Sequence, residues 1–244
     1  MKTFIMLGWR NLWRQKRRSL VVVFSIMLAV LMIMFALGIM NGIIAQMLDN
    51  SISTKLGHVA ITGKGFFDNP QIENNFYPGE KLIASLKKNR DITAFAPRVK
   101  VFGMIRSGES SRGVLVMGVS PKSENGVSKI DEYTLRDEGG RFLDDPDANE
   151  ILISKSLANK LDVLVGDRIV LMLNNKDNEM EGVGLTVKGL FQTPVEDYDN
   201  SVVYMGISRL QAITNLGDNI SEISIVAKNK EIADPVKLRL AKSI

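Results

Sequence analysis

Leu20 to Met40 reads LVVVFSIMLAVLMIMFALGIM, 21 residues without a charge. A helix rises about 1.5 Å per residue, so this run reaches about 30 Å, the thickness of the hydrocarbon core of a bilayer. It is apolar on every side rather than along one stripe, which separates it from the amphipathic helices of soluble domains. The segment therefore reads as a transmembrane helix, and everything else in the chain is placed relative to it.

The flanks orient it. Lys2, Arg10, Arg14, Lys16, Arg17 and Arg18 precede the run, and the first carboxylate, Asp49, follows it. An excess of Lys and Arg marks the cytoplasmic side. A cleaved signal peptide shares the basic start, and Ala36-Leu37-Gly38 offers a small-x-small site, but the apolar run exceeds the usual h-region of about 7–15 residues and continues through Ile43, Ile44 and Met47. An uncleaved anchor with a cytoplasmic amino terminus fits better. Trp9 and Trp13 fall four apart among the basic residues, so Trp9, Arg10, Trp13, Arg14, Lys16, Arg17 and Arg18 form a candidate membrane-interface set. They either lie on the cytoplasmic surface as a short helix or serve only as charged flanks.

Removing the leader changes the charge balance. The formal charge of the whole chain is +4, but without the six basic residues ahead of Ser19 the 31 Lys and Arg fall to 25, against 27 Asp and Glu. The basicity orients the membrane segment and is not a nucleic-acid footprint. The absence of cysteine excludes a disulfide framework and any thiolate metal site.

Beyond Met47 the pattern is that of a mixed α and β domain. Asn41 to Leu56 keeps helical spacing as a stalk, and His58 to Thr62 alternates as a strand. Gly63 to Gly79 is a long loop bearing Phe66, Phe67, Phe76 and Tyr77, aromatics that either contact a partner or pin the loop to its own domain. Gly79 to Arg90 is an amphipathic helix, and strands through Val99–Ile105 and Arg112–Val119 form a hairpin. Glu150 to Ile153 is a strand, and Ser154 caps a short helix. Gly166-Asp167 turns into a strand over Arg168–Leu173, Asn174 to Gly182 is a charged loop, and Val183 to Phe191 alternates as a long strand. The order strand, helix, strand returns at Ser201–Met205, Ile207–Leu216 and Glu222–Val226. Two such units pair into a split β-α-β sheet, with the segment between them inserted as a strand-rich subdomain. The expected class is α+β.

Catalytic signatures are missing. There is no phosphate-cradling GxxxxGK[ST] loop, no GxSxG and no HExxH, and His58 is the single histidine. The carboxylate pairs Asp137-Glu138, Asp144-Asp145 and Glu196-Asp197 sit in polar loops. No catalytic, cofactor-binding or metal-binding residue is assigned.

The sequence Trp9-Arg10-Asn11-Leu12-Trp13-Arg14-Gln15-Lys16-Arg17-Arg18, running into an apolar helix, resembles the amino terminus of ABC transporter permease subunits of the MacB, LolC/LolE and FtsX type. The ordered set GVSP (Gly118–Pro121), GGRFL (Gly139–Leu143), EILI (Glu150–Ile153), SLANKL (Ser156–Leu161), VGDRI (Val165–Ile169), KGLF (Lys188–Phe191) and DNSVVY (Asp199–Tyr204) resembles their periplasmic core domain. This resemblance implies a cytoplasmic interfacial helix over residues 1–19, a transmembrane helix and stalk over 20–47, a periplasmic core domain over 48–233 with a porter-like split β-α-β subdomain, and over 234–244 the start of a helix leading to a second span.

It also implies an inner-membrane permease working as a homo- or heterodimer with an ABC ATPase, which holds the ATP. The permease would transmit conformational change to the periplasmic side for lipoprotein release or export, with a lipoprotein or periplasmic carrier as partner. Lipoprotein-release permeases fit best, because no ATPase domain precedes the first span. The three later spans of the family are absent, so the chain is expected to be the amino-terminal part of such a permease. The alternative is a single-span anchored interaction module that binds through Phe66-Phe67 or the loop bearing Tyr198.

Overall fold

The computed structural model describes residues 15–51, 59–63, 65–66 and 71–228. Helix α1 (Lys16–Ser51) is continuous for 36 residues. It has no proline, and Ser25, a polar residue inside the apolar run, satisfies its hydroxyl by donating to Val21 O at 2.8 Å. Its Lys16–Met40 portion is long and apolar enough to cross a membrane, none of it is buried, and it is the one such helix among the described residues. The chain divides into two compact units, Met1–Asp49 and Asn50–Ile244.

In the second unit the strands among the described residues join one eight-stranded sheet in the order β1-β8-β2-β3-β7-β4-β6-β5. The strands are β1 (Val59–Thr62), β2 (Ile92–Ser107), β3 (Ser110–Val119), β4 (Glu150–Ser154), β5 (Arg168–Asn174), β6 (Met180–Phe191), β7 (Val202–Gly206) and β8 (Glu222–Ala227). Helix α2 (Gly79–Lys88) connects β1 to β2, and β8 lies between them antiparallel to both. That is the split β-α-β arrangement. The second unit, β7 to α6 (Ile207–Ile213) to β8, steps over β3 and β2.

Strand β2 is the organising element, and its length is the reason. Sixteen residues long, it pairs with β3 along one edge over Arg98–Ser107. On the other edge its first half, Ile92–Arg98, pairs with β8, while Gly103–Arg106 pairs with β5. The β5 contact closes β2, β3, β7, β4, β6 and β5 into a circuit. The strand-rich insertion is therefore present, but it shares β2 and β3 with the split β-α-β part instead of standing apart from it.

Alternation along the strands sorts the side chains into two cores, as a period of two requires. Val99, Val101 and Ile105 of β2, Val114 and Val116 of β3, and Val203 and Met205 of β7 point to one side, where Leu86 of α2 and Leu210 of α6 cover them. The opposite faces of β3, β4 and β7 carry Met117, Val119, Leu152, Val202 and Tyr204, packed with Ile130, Leu143, Phe191 and Tyr198. At about 25 cal/mol per Å² of apolar area removed from water, these two clusters are the main favourable term in the domain's stability.

Several local readings hold. The β2–β3 hairpin turns at Gly108-Glu109, Ser154 caps α4 (Lys155–Leu161) by accepting from Leu157 N at 3.0 Å, and the strand ahead of Phe191 is long. Two others are revised. The expected charged loop over Asn174–Gly182 is shorter than that: β5 and β6 pair from Asn174↔Met180 onward, and a turn of Asn175–Glu179 joins them. Asn175 organises that turn, its side-chain oxygen accepting from Asp177 N and Glu179 N. The loop between β1 and α2 is not free-running: Ile72–Asn74 forms one 3-10 turn and Phe76 bridges Ile220.

Candidate functional site

Lys16, Arg17 and Arg18 stand exposed at the start of α1, where the polar flank of an apolar helix is expected. Trp9, Arg10, Trp13 and Arg14 lie outside the described residues, as do Phe67 and His58. Phe66 and Tyr198 are described, and neither presents its ring at the surface: Phe66 is 5% exposed and Tyr198 2%. Phe66 follows a tight turn with its N–H donating to Gly63 O. Tyr198, in the short helix α5 (Glu196–Asp199), bonds its hydroxyl to that of Tyr204 and packs beside it. Burial raises both phenols above their ordinary range. The structure thus brings Tyr198 into the second core and gives its ring a packing role.

Next to this tyrosine pair lies a constellation that sequence reading did not single out. Helix α3 (Pro121–Glu124), started by Pro121, places Glu124 over β2. Arg98 meets it with two bonds, Nη2 to Oε1 at 2.6 Å and Nε to Oε2 at 3.0 Å, and both side chains are buried. Glu222, opposite Arg98 in the β2–β8 register, lies 3.4 Å from Arg98 Nη1 and 2.6 Å from Lys100 Nζ. Burial disfavours the charge on Arg98, but the field and hydrogen bonds of Glu124, with Glu222, outweigh it and hold the guanidinium above its ordinary range.

The fork-to-fork geometry is the strong form of a charged pair and suits guanidinium rather than ammonium. A signal existed in the sequence: Arg98 and Lys100 alternate with the apolar Val99 and Val101, which places both on one face. Their acids, 26 and 124 residues downstream of Arg98, emerge only from the pairing of strands. With its carboxylates bound to cations, the network is a clamp between β2, β8 and α3 and offers no free acid or base. Among the described residues, no group of three or more His, Cys, Asp or Glu is placed to hold a metal ion.

Residues 19–242 match the family described as the MacB-like periplasmic core domain. The chain belongs to that family. Among curated proteins, it is 23% identical over 210 residues to the lipoprotein-releasing system transmembrane protein LolE of Haemophilus influenzae, covering 84% of this chain and 49% of that one. It is 25% identical over 237 residues to the uncharacterized ABC transporter permease protein Rv0987 of Mycobacterium tuberculosis, covering 95% of this chain and 26% of that protein. The chain therefore spans about half the length of the first relative and about a quarter of the second.

Among solved structures, the periplasmic region of MacB from Actinobacillus actinomycetemcomitans matches with a TM-score of 0.50 at 16% identity, covering 75% of this chain and 81% of that one. The extracellular domain of the ABC-type transporter YknZ from Gram-positive bacteria matches at a TM-score of 0.49 and 17% identity, over 72% and 86% of the two chains. A MacB-like core domain in the same chain as an apolar helix makes this an ABC permease-like protein.

Proposed function

We propose that the chain supplies a membrane span and the exported domain of a permease subunit in an ABC transporter of the inner membrane, with its amino terminus in the cytoplasm. ATP hydrolysis by a separate ATPase subunit would be transmitted through the membrane segment to the MacB-like domain, for lipoprotein release or export. The permease itself would be non-catalytic and would act as a homo- or heterodimer. What carries this reading is one apolar helix, none of it buried, in one chain with a MacB-like core domain. A second support is mechanical. Because β2 is hydrogen-bonded into both halves of the sheet and clamped to α3, displacement of one half would be passed to the other along a single strand.

The choice of lipoprotein release over other exports rests on the relative named as a lipoprotein-releasing protein. The test is purification of the natural permease from membranes in neutral detergent, followed by measurement of ATP hydrolysis in the complex. Co-purification of a P-loop ATPase whose turnover shifts when the MacB-like domain is deleted supports the proposal. A complex without an ATPase, with a partner held by the exported domain alone, would overturn it in favour of an anchored interaction module.

A further inference from the structure

The outer face of β2, opposite its core-facing side, is unusually apolar for a surface. Phe102 is 62% exposed, Met104 45% and Met180 69%. In register, Met104 stands beside Met172 of β5, and Met180 is two residues along β6 from Gly182, the neighbour of Met172. Glycines border the methionines: Gly113 is opposite Met104 and Gly182 opposite Met172, and a Cβ at either would meet nothing within 4 Å. Met104 and Met172 thus lack a neighbouring side chain on the flank away from each other, beside the ring of Phe102.

Together they line a groove of about 440 Å³, with Ile72 and Leu173 also contributing. Its rim is amide-bearing and acidic. Asn174, Asn178 and Glu73 line it, and the Asn175–Glu179 turn at its end carries the exposed Asp177 and Glu179 against one base, Lys176. Arg106, farther along the same strand face, donates from Nε to Gly108 O at 3.2 Å in the hairpin turn.

We propose that this groove takes a basic amphipathic segment of a partner protein. Methionine is unbranched and polarizable, so a methionine floor adapts to varied apolar side chains, while a carboxylate rim selects Lys and Arg over acidic partners. Apolar anchors spaced along one face of such a segment enter the groove, and its cations meet Glu73, Asp177 and Glu179. The inference concerns a partner surface and does not depend on the permease reading.

The test uses the full chain in a neutral maltoside detergent and two labelled probes: an amphipathic peptide of leucine and lysine, and its counterpart with glutamate for lysine. Fluorescence anisotropy is expected to show saturable binding of the basic peptide, weakened about tenfold or more in Met104→Asn/Met180→Asn and about fivefold in Glu73→Lys, and weakened again by salt. The variants change exposed positions, and unaltered thermal melting verifies their fold. Equal binding of the acidic peptide, or basic-peptide binding indifferent to all these variants, overturns the proposal. So does sedimentation showing that a second copy of the chain covers the face and dissociates in Phe102→Ser.

Discussion

Glu124 closes on Arg98 through both carboxylate oxygens, at 2.6 and 3.0 Å, with both side chains buried. Removing one partner leaves an uncompensated charge inside the domain, so Glu124→Ala is expected to destabilise by about 3–5 kcal/mol. Arg98→Met combined with Glu124→Leu replaces charges by apolar volume and should recover much of that loss. Chemical denaturation of the two variants measures the difference, and a double variant no more stable than Glu124→Ala would contradict the clamp.

Ser154 does two jobs with one hydroxyl. It accepts from Leu157 N to cap α4 and donates to Asp199 O, tying that helix to α5. Ser154→Ala removes the cap and leaves a buried carbonyl without its donor, a loss of about 2–3 kcal/mol. In a domain of this size that corresponds to a melting point lower by roughly 5–10 °C, read by calorimetry.

Gly206 is required by a close approach. A Cβ there would lie 2.1 Å from Pro146 O, the same carbonyl that accepts from Arg209 N at 3.0 Å in the first turn of α6. Gly206→Ala must push the turn at Pro146 off the β7–α6 junction, at about 1–3 kcal/mol. Hydrogen exchange should rise at Arg209 and across Asp144–Asn149, while amides in β2 keep their protection.

The tyrosine pair sets an alkaline limit. Both phenols are raised above the ordinary value of 10.0 by burial, so the folded state holds their protons more tightly than the unfolded chain does. Their contribution is fully present below pH 10 and is lost as pH climbs from there toward the folded values. Denaturant midpoints measured against pH should be level near neutrality and fall above about pH 10. The double variant Tyr198→Phe/Tyr204→Phe should fall less steeply over the same range.

Legibility followed the range of the interaction. The membrane segment, the β2–β3 hairpin and the Ser154 cap depend on neighbours within a few residues or on a simple period, and each could be read from letters alone. The turn at Asn175–Glu179 was read as part of a longer loop, because its charges masked a register that only pairing with β5 reveals. Tyr198, a candidate partner contact in the sequence, sits among Glu196, Asp197 and Asp199, and a single helical turn directs its ring inward against Tyr204.

By itself, the sequence determined that a 21-residue uncharged run is the membrane-spanning candidate, that an α+β domain follows it, and that none of GxxxxGK[ST], GxSxG and HExxH occurs in these 244 residues. The tertiary structure decided which strands share β2, which acids meet Arg98, and which apolar residues remain outside. The physical reason is that propensity and periodicity act along the chain, whereas a charge 124 residues away is brought opposite Arg98 by sheet register, a property of the whole fold.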